Sequence, residues 1–254
     1  MERSLQTLKR HISSFVLALC ALLGTFSIRA DAQEPSQKDR IRIQIWSELD
    51  PFPGKFDGSD SETRTAAAPT ITEDGRDITI YRFAIDRAKE IAPFLIGGML
   101  DGWTFDYVPY DKTRRVDEYF EFGEIRPFDS SVNTIAYREP QPVDDRLLCW
   151  VECDRTPAQE LSYERWASIT HPKVRGHGSA PVENGFEAIQ EACSEALKNA
   201  VREYWRTQTK NKPKEILGRV LLIQNPRIYI SEGRYIVDLD FFLETDKIVT
   251  YRYY

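Results

Sequence analysis

The chain has 254 residues, a formal net charge of −6 and 41% hydrophobic residues, which is enough apolar material for a substantial core. Its acidity excludes the basic footprint of a nucleic-acid binder. The charges are interspersed rather than blocked, the pattern of an ordinary solvated surface.

Residues 1–32 read as a cleaved secretory signal peptide. Arg3, Lys9 and Arg10 form a positive n-region, an apolar run follows from Ile12 to Ile28, and Ala30-Asp31-Ala32 is a small-x-small cleavage site with Gln33 as the mature start. The run is at the lower limit for spanning a bilayer, and Ser13, Ser14, Gly24 and Thr25 interrupt it, which favours a leader over an anchor. Cys20 follows Leu19 inside the apolar run and lacks the small preceding residue of a lipid-modified cysteine. Cleavage removes Arg3, Lys9, Arg10 and Arg29 against Glu2 and Asp31, so the formal charge moves from −6 to −8. The expectation is an exported protein, periplasmic or outer-membrane associated, with at most peripheral membrane attachment.

Residues 33–40 read as a flexible lead-in. Ile41, Ile43 and Ile45 alternate with polar residues as a strand does. Residues 50–76, with Pro51, Pro53, Gly54, Gly58, Pro69 and Gly75, read as a long loop. Ile78 and Ile80 suggest a short strand before a helix that begins near Arg82. Ile85, Ala88, Ile91, Ala92 and Leu95 have helical spacing; Pro93 is expected to kink this helix and Gly97-Gly98 to weaken or end it. Trp103, Phe105 and Tyr107 then form one aromatic face of a strand. Phe120 and Phe122, Val132 to Tyr137, and Leu147 to Val151 indicate further short strands. Thr156-Pro157-Ala158-Gln159 is a capping box with proline at the first helical position.

The clearest element runs from about Glu183 to Thr207. Phe186, Ile189, Cys193, Leu197, Val201 and Tyr204 recur at helical steps, and Ala188, Ala192, Ala196 and Ala200 form a ridge without bulk that allows close approach to a sheet or helix. Val220 to Ile223, then Ile228 and Ile230, precede a turn at Ser231-Glu232-Gly233. Tyr235, Val237, Leu239 and Phe241 alternate as a strand, and Ile248 to Tyr254 reads as a last, tyrosine-rich one. The whole is expected to be α+β, with a strand-rich front half over 41–155 and a helix on an antiparallel sheet over 156–254.

Cys149, Cys153 and Cys193 remain after the leader, an odd number for an oxidising compartment, and are disulfide candidates. On one extended strand Cys149 and Cys153 would stand about 13 Å apart, beyond disulfide reach. The string Cys149, Cys153, His171, His177 has the wrong spacing for a zinc finger, and Pro172, Gly176 and Gly178 break the helix that would carry its histidines. Gly176-His177-Gly178-Ser179 lacks both the lysine of a phosphate loop and the frame of a nucleophile elbow. The pairs Asp144-Asp145 and Asp238/Asp240, with the scattered Asp106, Asp111 and Asp129, are the remaining acid–base candidates. No metal or cofactor is expected. Candidate interaction surfaces are the aromatic face Trp103, Phe105 and Tyr107, which core packing would also explain, the loop 50–76, and the terminal Tyr251, Tyr253 and Tyr254, where an unpaired strand could join a partner's sheet.

The tract from Lys173 to about Glu244 resembles the amino-terminal domain of the flagellar ring protein FlgT and related small outer-membrane lipoproteins. The resemblance rests on Gly178-Ser179-Ala180, the alanines at 188, 192, 196 and 200, Gly218-Arg219-Val220 and Gly233-Arg234-Tyr235-Ile236-Val237. It implies a helix packed on an antiparallel sheet, an assembly role with envelope or flagellar partners, and no catalytic residues. The alternative expectation is a periplasmic ligand-binding domain or hydrolase acting on glycans or cell-wall fragments through the aromatic face.

Overall fold

The computed structural model describes residues 39–50 and 81–251. The leader, most of the lead-in, the loop 51–76, Ile78 and Ile80, and residues 252–254 lie outside the described residues. Nine strands and three α-helices are present among the described residues, and the strand pairs are antiparallel: the fold is α+β.

Strand β1 (Arg40–Glu48) begins where the isoleucine alternation predicts. Ile41, Ile43, Ile45 and Ser47 are buried, with exposed or half-buried residues between them. It pairs with β5 (Arg146–Asp154), whose inward residues Leu147, Cys149, Val151 and Cys153 stand opposite that buried set. Strand β4 (Ile135–Val143) completes a sheet of order β1-β5-β4 and is bulged between Arg138 and Gln141.

Helix α1 (Arg82–Leu100) covers this sheet and departs from expectation at its end. It runs through Pro93 and through Gly97-Gly98 to Leu100. The glycines stay helical because the packing needs them bare: a Cβ on Gly98 would lie 2.7 Å from the Trp103 ring and 2.9 Å from Leu222. Tertiary contact here overrides the weak intrinsic propensity of glycine.

The larger sheet has the order β3-β2-β7-β9-β6, with β8 also on β9. Its strands are β2 (Trp103–Val108), β3 (Tyr119–Glu124), β6 (Lys173–Pro181), β7 (Glu215–Leu222), β8 (Arg227–Ser231) and β9 (Arg234–Val249). It therefore draws on residues both before and after 155. The β8–β9 hairpin turns at Glu232 and Gly233, both with positive φ (53° and 71°), the backbone that matches the twist of a two-residue hairpin.

The expected terminal strand is corrected. Ile248 and Val249 end the long β9, and Val249 already pairs with Glu215 of β7. Ile248 continues β9, opposite Ile216 of β7, so among the described residues no separate strand begins there.

Helix α3 (Phe186–Gln208) lies on one face of this sheet, and its alanine ridge meets the two bare positions of β6. A Cβ on Gly178 would stand 2.3 Å from the Ala192 carbonyl oxygen and the Ala196 nitrogen. One on Gly176 would stand 2.3 Å from the Ala196 carbonyl oxygen. Helix α2 (Pro157–Trp166) starts on the expected capping box, with Thr156 and Gln159 bonded reciprocally. It packs on the other face, where Trp166, Leu221 and Phe242 form a small second core. A single larger buried cluster joins α1, α3 and both sheets.

The Gly178→Ala variant is expected to lose about 3 kcal/mol of stability in urea unfolding, because backbone rather than a movable side chain occupies the site. Gly123→Ala, where an added Cβ meets nothing within 4 Å, is expected to be near neutral.

Candidate functional site

The aromatic strand face is core. Trp103, Phe105 and Tyr107 are 0%, 3% and 2% exposed, which overturns them as an interaction surface and removes the proposed sugar-stacking platform. The alternation placed them together correctly, but their shared face points inward. Trp103 stacks on Phe94 at 4.8 Å and meets Phe122 edge-on at 5.4 Å. Only the hydroxyl of Tyr107 reaches a polar partner, donating to Glu118 at 3.0 Å. Tyr251 is half-buried beyond β9, with the Arg114 guanidinium 4.1 Å from its ring centre. Tyr253 and Tyr254 lie outside the described residues.

Cys149, Cys153 and Cys193 are free, buried thiols, which corrects their standing as disulfide candidates. Cys149 and Cys153 share one face of β5 and oppose Ile45 and Ile41, while Cys193 sits inside α3. Burial raises all three thiols, Cys153 to about 11. Thiol reagents at pH 8 are therefore expected to label these positions only as the protein unfolds, so labelling should follow the urea transition read by mass spectrometry.

The histidines and acids are dispersed. His171 packs against Trp166 at 4.9 Å, and His177 sits on the exposed side of β6, so Cys149 and Cys153 lie in a different sheet from His177. Among the described residues, no group of three or more His, Cys, Asp or Glu is placed to hold a metal ion. Asp238 and Asp240 do share the outer face of β9, where each has a partner. His177 Nδ1 lies 2.7 Å from Asp238, and Arg175 donates to Asp240 at 2.8 Å. Asp111 holds a tight turn by accepting from the Arg114 guanidinium, which chiefly lowers its pKa, and from the Arg114 and Thr113 amides. Asp129 caps its own turn through Ser131. Asp144 and Asp145 form the β4–β5 turn.

The outer face of the large sheet thus carries a ladder of ion pairs. It continues from β6 and β9 to Arg165–Glu244 at 3.0 Å, Arg219–Glu244 at 3.1 Å and Arg219–Asp246 at 2.9 Å. His171 stands 3.8 Å from the same Glu244.

Besides a concavity on the ladder itself, lined by Arg165, His171, Trp205 and Glu244, a second cleft lies at the end of α3 and shares Trp205 with it. This second cleft, of about 720 Å³ around the carboxy-terminal end of α3, is lined by Tyr107, Tyr110, Glu118, Arg202, Trp205, Arg206, Lys210 and Lys212, together with prolines 109 and 213. Arg202 approaches Glu118 at 3.3 Å, on the carboxylate that also accepts from Tyr107. Lys212 Nζ donates to the Tyr110 carbonyl at 2.8 Å and ties the rim to α3's end. Sequence reasoning missed this group. Its signal was the run of cations Arg202, Arg206, Lys210 and Lys212, a cationic stripe that begins on the last turns of α3 and continues past its end at Gln208.

The model of a protein family matches residues 27–251 of the chain. A protein of Treponema pallidum (strain Nichols), described as uncharacterized, is 25% identical over 243 residues, covering 94% of this chain and 95% of the relative. No solved structure matches.

Asp106 on β2 gives a pH-dependent prediction. Burial first, then the charges of Glu215 and Glu121, raises its carboxyl above the usual range in the folded protein. A raised folded pKa means that the ionised side chain costs stability at neutral pH, and that this cost vanishes once the pH falls below the unfolded value, about 3.9. Asp106→Asn is expected to stabilise the protein at pH 7 by on the order of 0.5 kcal/mol. The gain should disappear near pH 3, as read by urea unfolding at both pH values.

Proposed function

The chain belongs to the protein family whose model spans residues 27–251, and we propose that it is a non-enzymatic assembly or scaffold protein of the periplasm or cell envelope, with flagellar structures as its first expected partners. The observation that carries this reading is the contact between β6 and α3. The residues behind the resemblance, Gly178 and the alanine ridge, are the ones pressed backbone to backbone there. The helix-on-antiparallel-sheet arrangement implied by that resemblance is thus built from its own signature residues. The leader at 1–32 supplies the expected route to the envelope. Asp238 is hydrogen-bonded to His177 and Asp240 to Arg175, which supports a structural role for both acids.

In-cell cross-linking of the tagged protein, with mass spectrometry of its partners and fractionation of the cell, tests the proposal. Recovery of envelope or flagellar ring components, with the protein in the exported fraction, is the expected result. A purified protein that turns over a substrate, together with a deletion strain normal in envelope and motility, would overturn it.

A further inference from the structure

We infer that the cleft at the carboxy-terminal end of α3 binds a short acidic saccharide, with its anionic group against Arg206, Lys210 and Lys212 and a ring face against the aromatic wall. The first support is charge. The lining has four cations and one carboxylate, in a chain whose formal net charge is −6. Glu118 is matched by Arg202 at 3.3 Å. The carbonyls at the end of α3 are worth roughly half a negative charge, which one further cation more than offsets. Lys212 bonds to a neutral carbonyl, and Arg206 touches Glu203 only at 3.5 Å with both side chains largely exposed, an arrangement of little energetic weight. The cleft therefore keeps a surplus of positive charge that no carboxylate in its lining cancels.

The second support is shape and surface. Trp205 forms part of the wall, and its indole N–H is closed off from solvent without an acceptor among the described residues. Tyr110 at the rim is 50% exposed. Flat aromatic walls with cations beside them fit a ring that carries a negative group; the CH face of a pyranose stacks on such rings while its hydroxyls reach guanidinium donors. A bare inorganic anion would leave the aromatic wall unused, and a neutral sugar would leave the cations unmatched. The choice of a saccharide among ring-bearing anions rests on the envelope reading above; the preference for a ring-bearing anion rests on the cleft alone.

The test is calorimetry and tryptophan fluorescence on the purified protein with trigalacturonate, its neutral counterpart galactotriose, and sodium sulfate. Saturable binding of trigalacturonate at least tenfold tighter than galactotriose is expected. It should weaken at least tenfold in the Arg206→Gln/Lys210→Gln variant, whose two positions are exposed, and in Tyr110→Ala, with melting curves unchanged. Equal affinity for the neutral sugar would overturn the inference, and so would sulfate binding as tightly as trigalacturonate. Absence of binding by all three probes, or binding indifferent to the double variant, would overturn it too. Fractionation reads the envelope proposal separately: a cytoplasmic protein that binds trigalacturonate would sink that proposal and leave the cleft standing.

Discussion

The backbone-to-backbone approach of β6 and α3 sets much of the remaining geometry. Helices ordinarily rest on sheets with a layer of side chains between them. At Gly176 and Gly178 that layer is missing, and the helix backbone at Ala192 and Ala196 sits where a Cβ would be. The dispersion lost with small side chains is recovered by backbone contact at short range. Asn199 fastens the same seam by donating to the His177 carbonyl at 3.0 Å. Because a strand alternates, the residues on either side of the inward Gly176 must point outward. Arg175 and His177 therefore reach across to Asp240 and Asp238 on the neighbouring strand. One local constraint thus produces both the buried seam and the β6–β9 part of the outer ladder.

A second tie joins the layers at the other end of the core. Arg155 is 6% exposed and follows β5, and it donates to the Met99 carbonyl at 2.8 Å while its guanidinium lies 4.4 Å from the Tyr163 ring centre. A cation at the last turn of α1 meets the negative end of that helix, and the aromatic ring of α2 takes the opposite side. Burial lowers its pKa, though a guanidinium keeps its charge across the ordinary range. The small sheet, α1 and α2 are held by one buried charge in addition to apolar contact.

Much of this was legible in the residues, for identifiable reasons. Period-two runs at 41–45, 103–107 and 235–241 and the four-residue alanine spacing state local geometry directly, and the capping box at 156–159 carries its own hydrogen bonds. What alternation cannot state is which face meets the core. That is why Trp103, Phe105 and Tyr107 could be read as a surface and are buried. Propensity likewise predicted a helix weakened at Gly97-Gly98, where the packing of Trp103 wanted bare backbone. The cleft was hidden for a third reason. Tyr107 and Glu118 sit at the end of the β2–β3 hairpin, and Arg202 comes from a helix 84 residues further along the chain, so only the folded sheet brings them together at the end of α3. The cationic stripe was visible; its neighbours were not.

The two polar regions differ in what they leave over. Ladder pairs close on one another, and exposed pairs of this kind contribute about 0–1 kcal/mol each, so that face offers a partner little unspent attraction. The cleft is the reverse case: cations gathered where the lining holds a single carboxylate, on a protein that is negative as a whole. Its attraction extends only about 8–10 Å at ordinary salt, beyond which an approaching anion meets the acidic remainder of the surface. A long polyanion would have to lie across that surface, whereas a short one can stay within the cleft. Selection by length therefore follows from the charge pattern itself, before any contact with Trp205 or Tyr110 is made.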